Sequence, residues 1–164
     1  MKKVLLAFLL APAFLISLSG CTATPSGDVE ITDAWVKASE YSDHIGGMTG
    51  VFMLISNHSS DDVTLIGGSS SFASTIQTHQ VVDGVMSQKA DGITIKPGES
   101  VRLQPGGLHV MLMNLGKVIK AGTSVDLTLK FKGHADINLG SLIAKTVPAG
   151  EETYSPTPMT TPTN

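Results

Sequence analysis

Between residues 30 and 148, apolar and polar side chains alternate in short runs that are rich in Val, Ile, Leu and Thr. A period of two is typical of strands with one buried face, and no segment has a convincing helical period. The predicted strands are 31–37, 49–56, 62–66, 74–82, 85–89, 92–95, 100–103, 108–115, 124–131 and 137–146. Turn sequences such as Lys96-Pro97-Gly98-Glu99 separate them at regular intervals. The pattern predicts an all-β, Greek-key antiparallel β-sandwich or barrel, with Trp35, Phe52 and Phe131 in the core between its sheets.

The N-terminus has the pattern of an export signal. Lys2 and Lys3 precede an apolar run, 4–18, that is shorter than the ~20 residues of a membrane-spanning helix. The run ends in Leu18-Ser19-Gly20-Cys21, which resembles a bacterial lipobox. We therefore predict a signal peptide over 1–20, a diacylglycerol on the Cys21 thiol, and an extracytoplasmic protein anchored to a membrane by that lipid.

The rest of the chain is predicted to hold one domain. Residues 21–29 are small and polar and predict a tether, residues 30–148 form the folded domain, and residues 149–164 are Thr- and Pro-rich and predict a disordered tail. Cleavage removes two of the 11 basic residues and leaves 9 against 14 acidic ones, a formal charge of −5. Nucleic acid is therefore not expected as a partner. Cys21 is the single cysteine, so the domain has no disulfide and no thiolate ligand.

A predicted hairpin brings a histidine and a methionine together. Asp83-Gly84 suits a two-residue type I′ turn, in which both residues need positive φ. The turn sets a register with Gln88 directly across from His79 and Met86 diagonal to His79 on the same face. Diagonal Cβ atoms lie roughly 7–8 Å apart, a gap that an imidazole and a thioether can close around one ion.

A second pair lies in the strand 108–115, where His109 and Met111 are two residues apart and point to the same side. If that side faces the hairpin, His79, Met86, His109 and Met111 form one His₂Met₂ site. Imidazole binds several metals, but thioether is a soft ligand that favours Cu(I). A hard cation would need clustered carboxylates and a structural zinc would usually need cysteines. The predicted ligand is copper, preferably Cu(I).

Simpler interpretations exist for each residue. A single strand histidine is more often a hydrogen-bonded surface residue, and a methionine is more often core filler; it is the pairing of two His/Met motifs that favours a site. His44 and Met48 could add a ligand or cover the site from a loop. His58 and His134 have the sequence context of ordinary turn residues, and Met113 is expected to pack beside the site.

The sequence resembles the periplasmic copper chaperones of the PCuAC type. The resemblance lies in Asp33-Ala34-Trp35-Val36-Lys37-Ala38, in Met48-Thr49-Gly50-Val51-Phe52 and in 79–115, above all in 105–113 with its His-x-Met motif. It implies a cupredoxin-like β-barrel that binds Cu(I), and sometimes Cu(II), through His and Met. It also implies delivery of copper toward cytochrome c oxidase, through an assembly factor or the oxidase copper subunit.

The hairpin departs from the family pattern. Aligned on the turn, the family's first two ligands fall on Gln77 and Gln88; aligned on the sequence after the histidine, they fall on His79 and Met86. The resemblance therefore assigns His109 and Met111 directly, and leaves the contributions of Gln77 and Gln88 open.

Four classes of function follow from these patterns. A copper chaperone fits best, and the chain is not expected to be an enzyme because no nucleophile motif or pair of catalytic carboxylates is evident. A blue-copper electron carrier would need a cysteine ligand, which the domain lacks. The alternative is an adhesion or binding module in which the His and Met residues are incidental.

Overall fold

The computed structural model describes residues 28–39 and 46–147, together with the backbone of 155–156. The first ten strands correspond one by one to the predicted strands, with ends that differ by no more than three residues. The strands are β1 Val29–Lys37, β2 Met48–Asn57, β3 Val63–Ser69, β4 Ala73–Val82, β5 Val85–Gln88, β6 Ile93–Ile95, β7 Ser100–Leu103, β8 His109–Leu115, β9 Ser124–Lys132, β10 Ile137–Lys145 and β11 Ser155–Pro156. The described residues contain no helix that could cross a bilayer.

The strands form one long ladder in the order β11-β5-β4-β8-β2-β1-β10-β9-β3-β6, and β7 pairs with β2. The pairs are antiparallel except for β1 with β10 and β11 with β5, which are parallel. The all-β prediction is confirmed, but the sheet is mixed and not purely antiparallel. The parallel pair has a physical reason: the chain returns to the edge of β1 only after building eight further strands, so no hairpin dictates its direction.

The sheet is curled, so that strands that share no ladder of hydrogen bonds lie close to each other. At Gly67, which has φ +145°, a Cβ would lie 2.8 Å from the carbonyl oxygen of Ile76, so β3 and β4 approach more closely than a side chain would allow. Register shifts interrupt β1 after Thr32, β3 after Leu65 and β10 after Asn138. Such bulges bend a strand and increase its twist, which allows a sheet to close on itself.

Alternation along the strands places one face of each in a single core. On β2 and β8 the core residues are spaced by two, as in Val51, Met53 and Ile55 or in Val110 and Leu112. The buried cluster comprises Val36, Ala38, Val51, Met53, Ile55, Val63, Leu65, Ile93, Ile95, Leu103, Val110, Leu112, Leu115, Ile119, Val125, Leu127, Leu129, Phe131, Leu142 and Ala144. Its residues extend from β8 to β6 at one end of the strand order, and the partly buried Ala73 and Ile76 of β4 pack against them, so burying these residues holds the curled sheet closed.

One part of the core prediction is wrong. Phe131 belongs to the core cluster, but Trp35 and Phe52 do not. Phe52 lies between Val51 and Met53 in β2, and because these two neighbours point into the core, Phe52 points to the opposite face. Trp35 pairs with Phe52 in the ladder and its ring packs on the same side.

Several predictions concern residues outside the described ranges. The signal peptide 1–20, Cys21, His44 and most of the tail 149–164 are among them. The domain limits therefore stay predictions.

Candidate metal centre

The hairpin of β4 and β5 has the predicted register. Asp83 and Gly84 have φ of 52° and 76°, as a type I′ turn requires. Gln88 lies opposite His79, and Met86 is two positions from Gln88 on the same strand. Met86 is therefore the diagonal neighbour of His79 on one face of the hairpin.

Strand β8 lies directly beside β4, which brings the two His/Met motifs together. His79 is the cross-strand partner of His109, and Gln77 is the partner of Met111. The two imidazole ring centroids are 5.7 Å apart. Met111 lies two residues along β8 from His109. Met86, on β5, lies two residues from the level of the histidine pair in the opposite direction. A thioether therefore lies on each side of the pair.

All four side chains are buried although they lie on the face opposite to the core. His79 is 7% exposed, Met86 6%, and His109 and Met111 2% each. Met86 is only slightly more exposed than Met111, and neither methionine is a surface residue. A buried imidazole must have its ring nitrogens satisfied, by hydrogen bonds or by a metal.

In His109 a backbone carbonyl fixes the tautomer. Nδ1–H donates to the carbonyl oxygen of Gly107 at 2.9 Å. The neutral ring therefore carries its lone pair on Nε2, which is buried. A hydrogen bond from one ring nitrogen that orients the other is the usual arrangement around a metal-binding histidine.

In His79 a glutamine side chain fixes the tautomer, by accepting a hydrogen bond from the other ring nitrogen. Nε2–H donates to Oε1 of Gln77 at 3.1 Å, which leaves the lone pair on Nδ1. Nδ1 is buried and has no hydrogen-bond partner among the described residues. Gln77 therefore orients His79. The sequence could have indicated this role, because Gln77 and His79 are two apart on one strand and share a face.

Burial also keeps both rings neutral. Desolvation lowers the pKa of His79, and the nearby His109 lowers it further. Desolvation lowers the pKa of His109 as well, partly offset by the hydrogen bond to the Gly107 carbonyl. Near pH 7 each ring therefore presents a lone pair and not a second N–H.

The spacing of the rings fits two ligands of one ion. A ring nitrogen that holds a metal at ~2.0 Å places the ring centroid about 3.2 Å from the metal, so two such rings lie at most about 6.4 Å apart. The observed 5.7 Å is within this limit. Among the described residues, no three His, Cys, Asp or Glu side chains gather as metal ligands. A metal at this centre therefore needs the thioethers to complete its coordination.

Phe52, one of the two aromatic residues wrongly predicted to lie in the core, borders the centre, and Trp35 packs against Phe52. The Phe52 centroid lies 6.2 Å from that of His109 and 4.7 Å from that of Trp35. The ring of Phe52 extends over Gly50, where a Cβ would lie only 2.8 Å from Cζ of Phe52. Gly50 is the cross-strand partner of Met111, so the missing side chain makes room for an apolar ring beside the thioether.

The other candidates lie outside this cluster of four side chains. His58 is exposed and 3.2 Å from Glu30, as expected for a surface residue, and His134 lies in the turn after β9. Gln88 is exposed at the edge of the site face. Met48 is the first residue of β2 and pairs with Met113.

Comparison with known proteins establishes the family. The family model "Putative lipoprotein LpqE-like" matches residues 29–140. "Putative lipoprotein Lxx21020" of Leifsonia xyli subsp. xyli is 34% identical over 133 residues, which are 73% of this chain and 77% of the relative. The chain belongs to the LpqE-like family.

Solved structures with a similar fold include PCuAC domains. The copper-bound PCuAC domain from PmoF2 has a TM-score of 0.63 and 23% identity, over 74% of this chain and 95% of that domain. The solution structure of CuI-DR1885 from Deinococcus radiodurans has a TM-score of 0.56 and 27% identity, over 78% of this chain and 83% of that one. The cupredoxin-like fold and the resemblance to PCuAC-type proteins are thereby confirmed.

Proposed function

We propose that this protein is an extracytoplasmic copper chaperone that holds one copper ion through His79, Met86, His109 and Met111. The observation that carries the proposal is the buried histidine pair, 5.7 Å apart, with a thioether at each end. The proteins of similar fold support it, since one is described as a copper-bound PCuAC domain and another as CuI-DR1885.

The donor set favours Cu(I). Two neutral imidazoles and two thioethers bring no negative charge, and thioether sulfur is a soft ligand. The imidazoles alone can also hold Cu(II), for which the thioethers add little. Copper is the cargo of the protein, and the chemistry is ligand exchange rather than catalysis.

The surrounding residues have separate tasks in holding the ion. Gln77 and the Gly107 carbonyl fix the two rings so that a lone pair of each is available without a tautomer change. Phe52 keeps water from the apolar side of the centre. Because the rings are oriented before the metal arrives, little side-chain entropy is lost on binding.

The proposed location is the outer side of a membrane, with a diacylglycerol on Cys21. Lys2, Lys3, the apolar run and the lipobox-like tetrapeptide support it, as does membership of a family described as lipoproteins. Cys21→Ser is expected to release the protein from membranes or to block its processing. Labelling with a fatty-acid analogue in the natural host tests this, and an unlabelled Cys21 would refute the anchor.

The proposed recipient is cytochrome c oxidase, reached through an assembly factor or directly through the oxidase copper subunit. This step rests on the resemblance to PCuAC-type chaperones. Copper transfer from the loaded protein to a soluble, copper-free oxidase subunit domain tests it, with the subunit's own copper spectrum as the readout.

The central experiment is a Cu(I) titration of residues 22–164 against a competing chelator, followed by X-ray absorption. We expect one tightly bound ion with both nitrogen and sulfur ligands. No binding, or a bound ion without sulfur, would refute the proposed centre. A protein without bound metal would point to the adhesion module, in which the sheet is only a scaffold.

A further inference from the structure

Two methionines outside the proposed centre lie directly opposite each other in the ladder. Met48, the first residue of β2, is the cross-strand partner of Met113 in β8. Directly opposed residues of an antiparallel pair point to the same face and have Cβ atoms about 4.5–5.5 Å apart. The two thioethers are therefore close enough to hold one ion between them.

This pair shares a face with the proposed centre. Along β8, His109, Met111 and Met113 alternate with Val110 and Leu112, which point into the core. Met113 is two residues from Met111, a rise of about 7 Å along the strand. The face therefore carries a continuous series of ligands, from Met48 and Met113 through Met111 to the histidine pair.

The two ends of this series differ in exposure. Met48 is 38% exposed and Met113 is partly buried, whereas Met111 is 2% exposed. Neither Met48 nor Met113 belongs to the core cluster, so core packing does not explain them. An ion held in the buried centre must pass through some intermediate position to reach solvent or a partner, and this is the accessible end of the thioether series.

We propose that Met48 and Met113 form a second, weaker site for Cu(I), through which the ion moves to and from Met111. The proposal rests on the proposed function of the centre. Two neutral thioethers suit a soft monovalent ion and discriminate against hard cations. Thr75, the other cross-strand partner of Met113, adds no soft donor, so the ion is held weakly and exchanges quickly.

The transfer step is a ligand exchange with no change of oxidation state. The ion forms a bond to the Met111 sulfur as it loses one to Met113 or Met48, and it then gains the imidazole nitrogens. No electron is transferred, because the ion stays Cu(I) while one sulfur ligand replaces another.

Methionine methyl NMR can detect this site directly. The mature chain with Cys21→Ser, labelled at the methionine methyl carbons, is titrated with Cu(I) under anaerobic conditions, and with Ag(I) as a spectroscopic substitute. We expect Met86 and Met111 to shift with the first equivalent, and Met48 and Met113 to shift with further metal. Met53, which lies in the core on the opposite face of β2, is the internal control and should not shift.

A paired variant separates thioether chemistry from packing. Met48→Leu with Met113→Leu conserves volume and removes both sulfurs. Uptake of Cu(I) from a chelator should slow by about fivefold or more, while equilibrium affinity for the first ion stays within about twofold, since affinity and exchange rate are set by different contacts. Met53→Leu is the matched control and should change neither.

The outcomes distinguish this proposal from the function on which it rests. Shifts at Met86 and Met111 without shifts at Met48 and Met113, or an unchanged uptake rate in the double variant, would overturn the second site and leave the centre intact. No shift at any methionine would overturn both.

Discussion

On strand β8, Val110 and Leu112 point into the core while His109 and Met111 point the other way, and all four are at most 2% exposed. Burial therefore does not distinguish the two faces. The two faces differ in the chemistry of their side chains. One face packs hydrocarbon on hydrocarbon, and the other carries oriented imidazole nitrogens beside thioethers. Buried imidazole nitrogens need partners, which hydrogen bonds or a bound ion can supply.

The largest expected effect falls on the core face. Leu112→Ala should destabilise the metal-free protein by about 2–5 kcal/mol, because it leaves a cavity in a fully buried site. Cu(I) affinity of the folded fraction should be nearly unchanged. Urea unfolding together with a chelator competition measures both, and a large affinity loss without loss of stability would contradict the division between the faces.

Changes on the face that carries His109 and Met111 should lower Cu(I) affinity and leave stability nearly unchanged. His109→Gln with Met111→Leu should weaken Cu(I) binding by at least about 100-fold, or about 2.7 kcal/mol. These replacements keep volume, so stability should change by less than about 1.5 kcal/mol. Alanine is unsuitable here because both residues are buried and their truncation would open a cavity. Unchanged affinity would remove the centre, and unfolding of the variant, seen by circular dichroism, would show that this face is structural.

A gain of function is expected at Gln88, which lies directly across from His79. Gln88→Met adds a thioether on the site face and should raise Cu(I) affinity by about tenfold, or 1.4 kcal/mol, with little change for Cu(II). Gln80→Met adds the same group to the opposite face of β4 and is the matched control. Equal effects at the two positions would show that the hairpin ligands need reassignment.

The smallest expected effect is a pH dependence of the metal-free protein. Burial lowers the pKa of His79 and His109 from the ordinary 6.5, so below that pH the unfolded chain binds more protons than the folded one. Their contribution to stability is complete above pH 6.5 and is lost as the pH falls through the lowered pKa values. Thermal unfolding between pH 7.5 and 5 should therefore show a decline that is smaller when both histidines are replaced by Gln. Parallel curves for the two proteins would contradict this origin.

The strands and one register could be predicted from the sequence because they depend on neighbouring residues. Period-two alternation marks each of the first ten strands, and Asp83-Gly84 fixes the pairing of β4 with β5 because few other sequences accept positive φ at both turn positions. The geometry of His79 and Met86 follows from that turn alone. The soft character of the two thioethers likewise follows from residue type.

Which strands lie side by side depends on the tertiary fold and not on the local sequence. The pairing of β4 with β8 joins residues 30 to 42 positions apart in the chain, and it places His79 opposite His109. No local pattern specifies this choice, since each strand would satisfy its hydrogen bonds equally well beside another. The parallel pairing of β1 with β10 is likewise not specified by any local pattern.

Trp35 and Phe52 show most clearly the difference between what local sequence predicts and what tertiary packing sets. Their size and apolar character by themselves predict a core position, and the alternation of Phe52 with Val51 and Met53 indicates only that it lies on the other face. That the other face is itself buried, with Gly50 making room for the Phe52 ring beside Met111, depends on strands brought together from distant parts of the chain. The strands, the hairpin and the types of donor atom could be predicted because they are local properties. The packing of the closed sheet decided which donors share a site, because that depends on burying both faces at once.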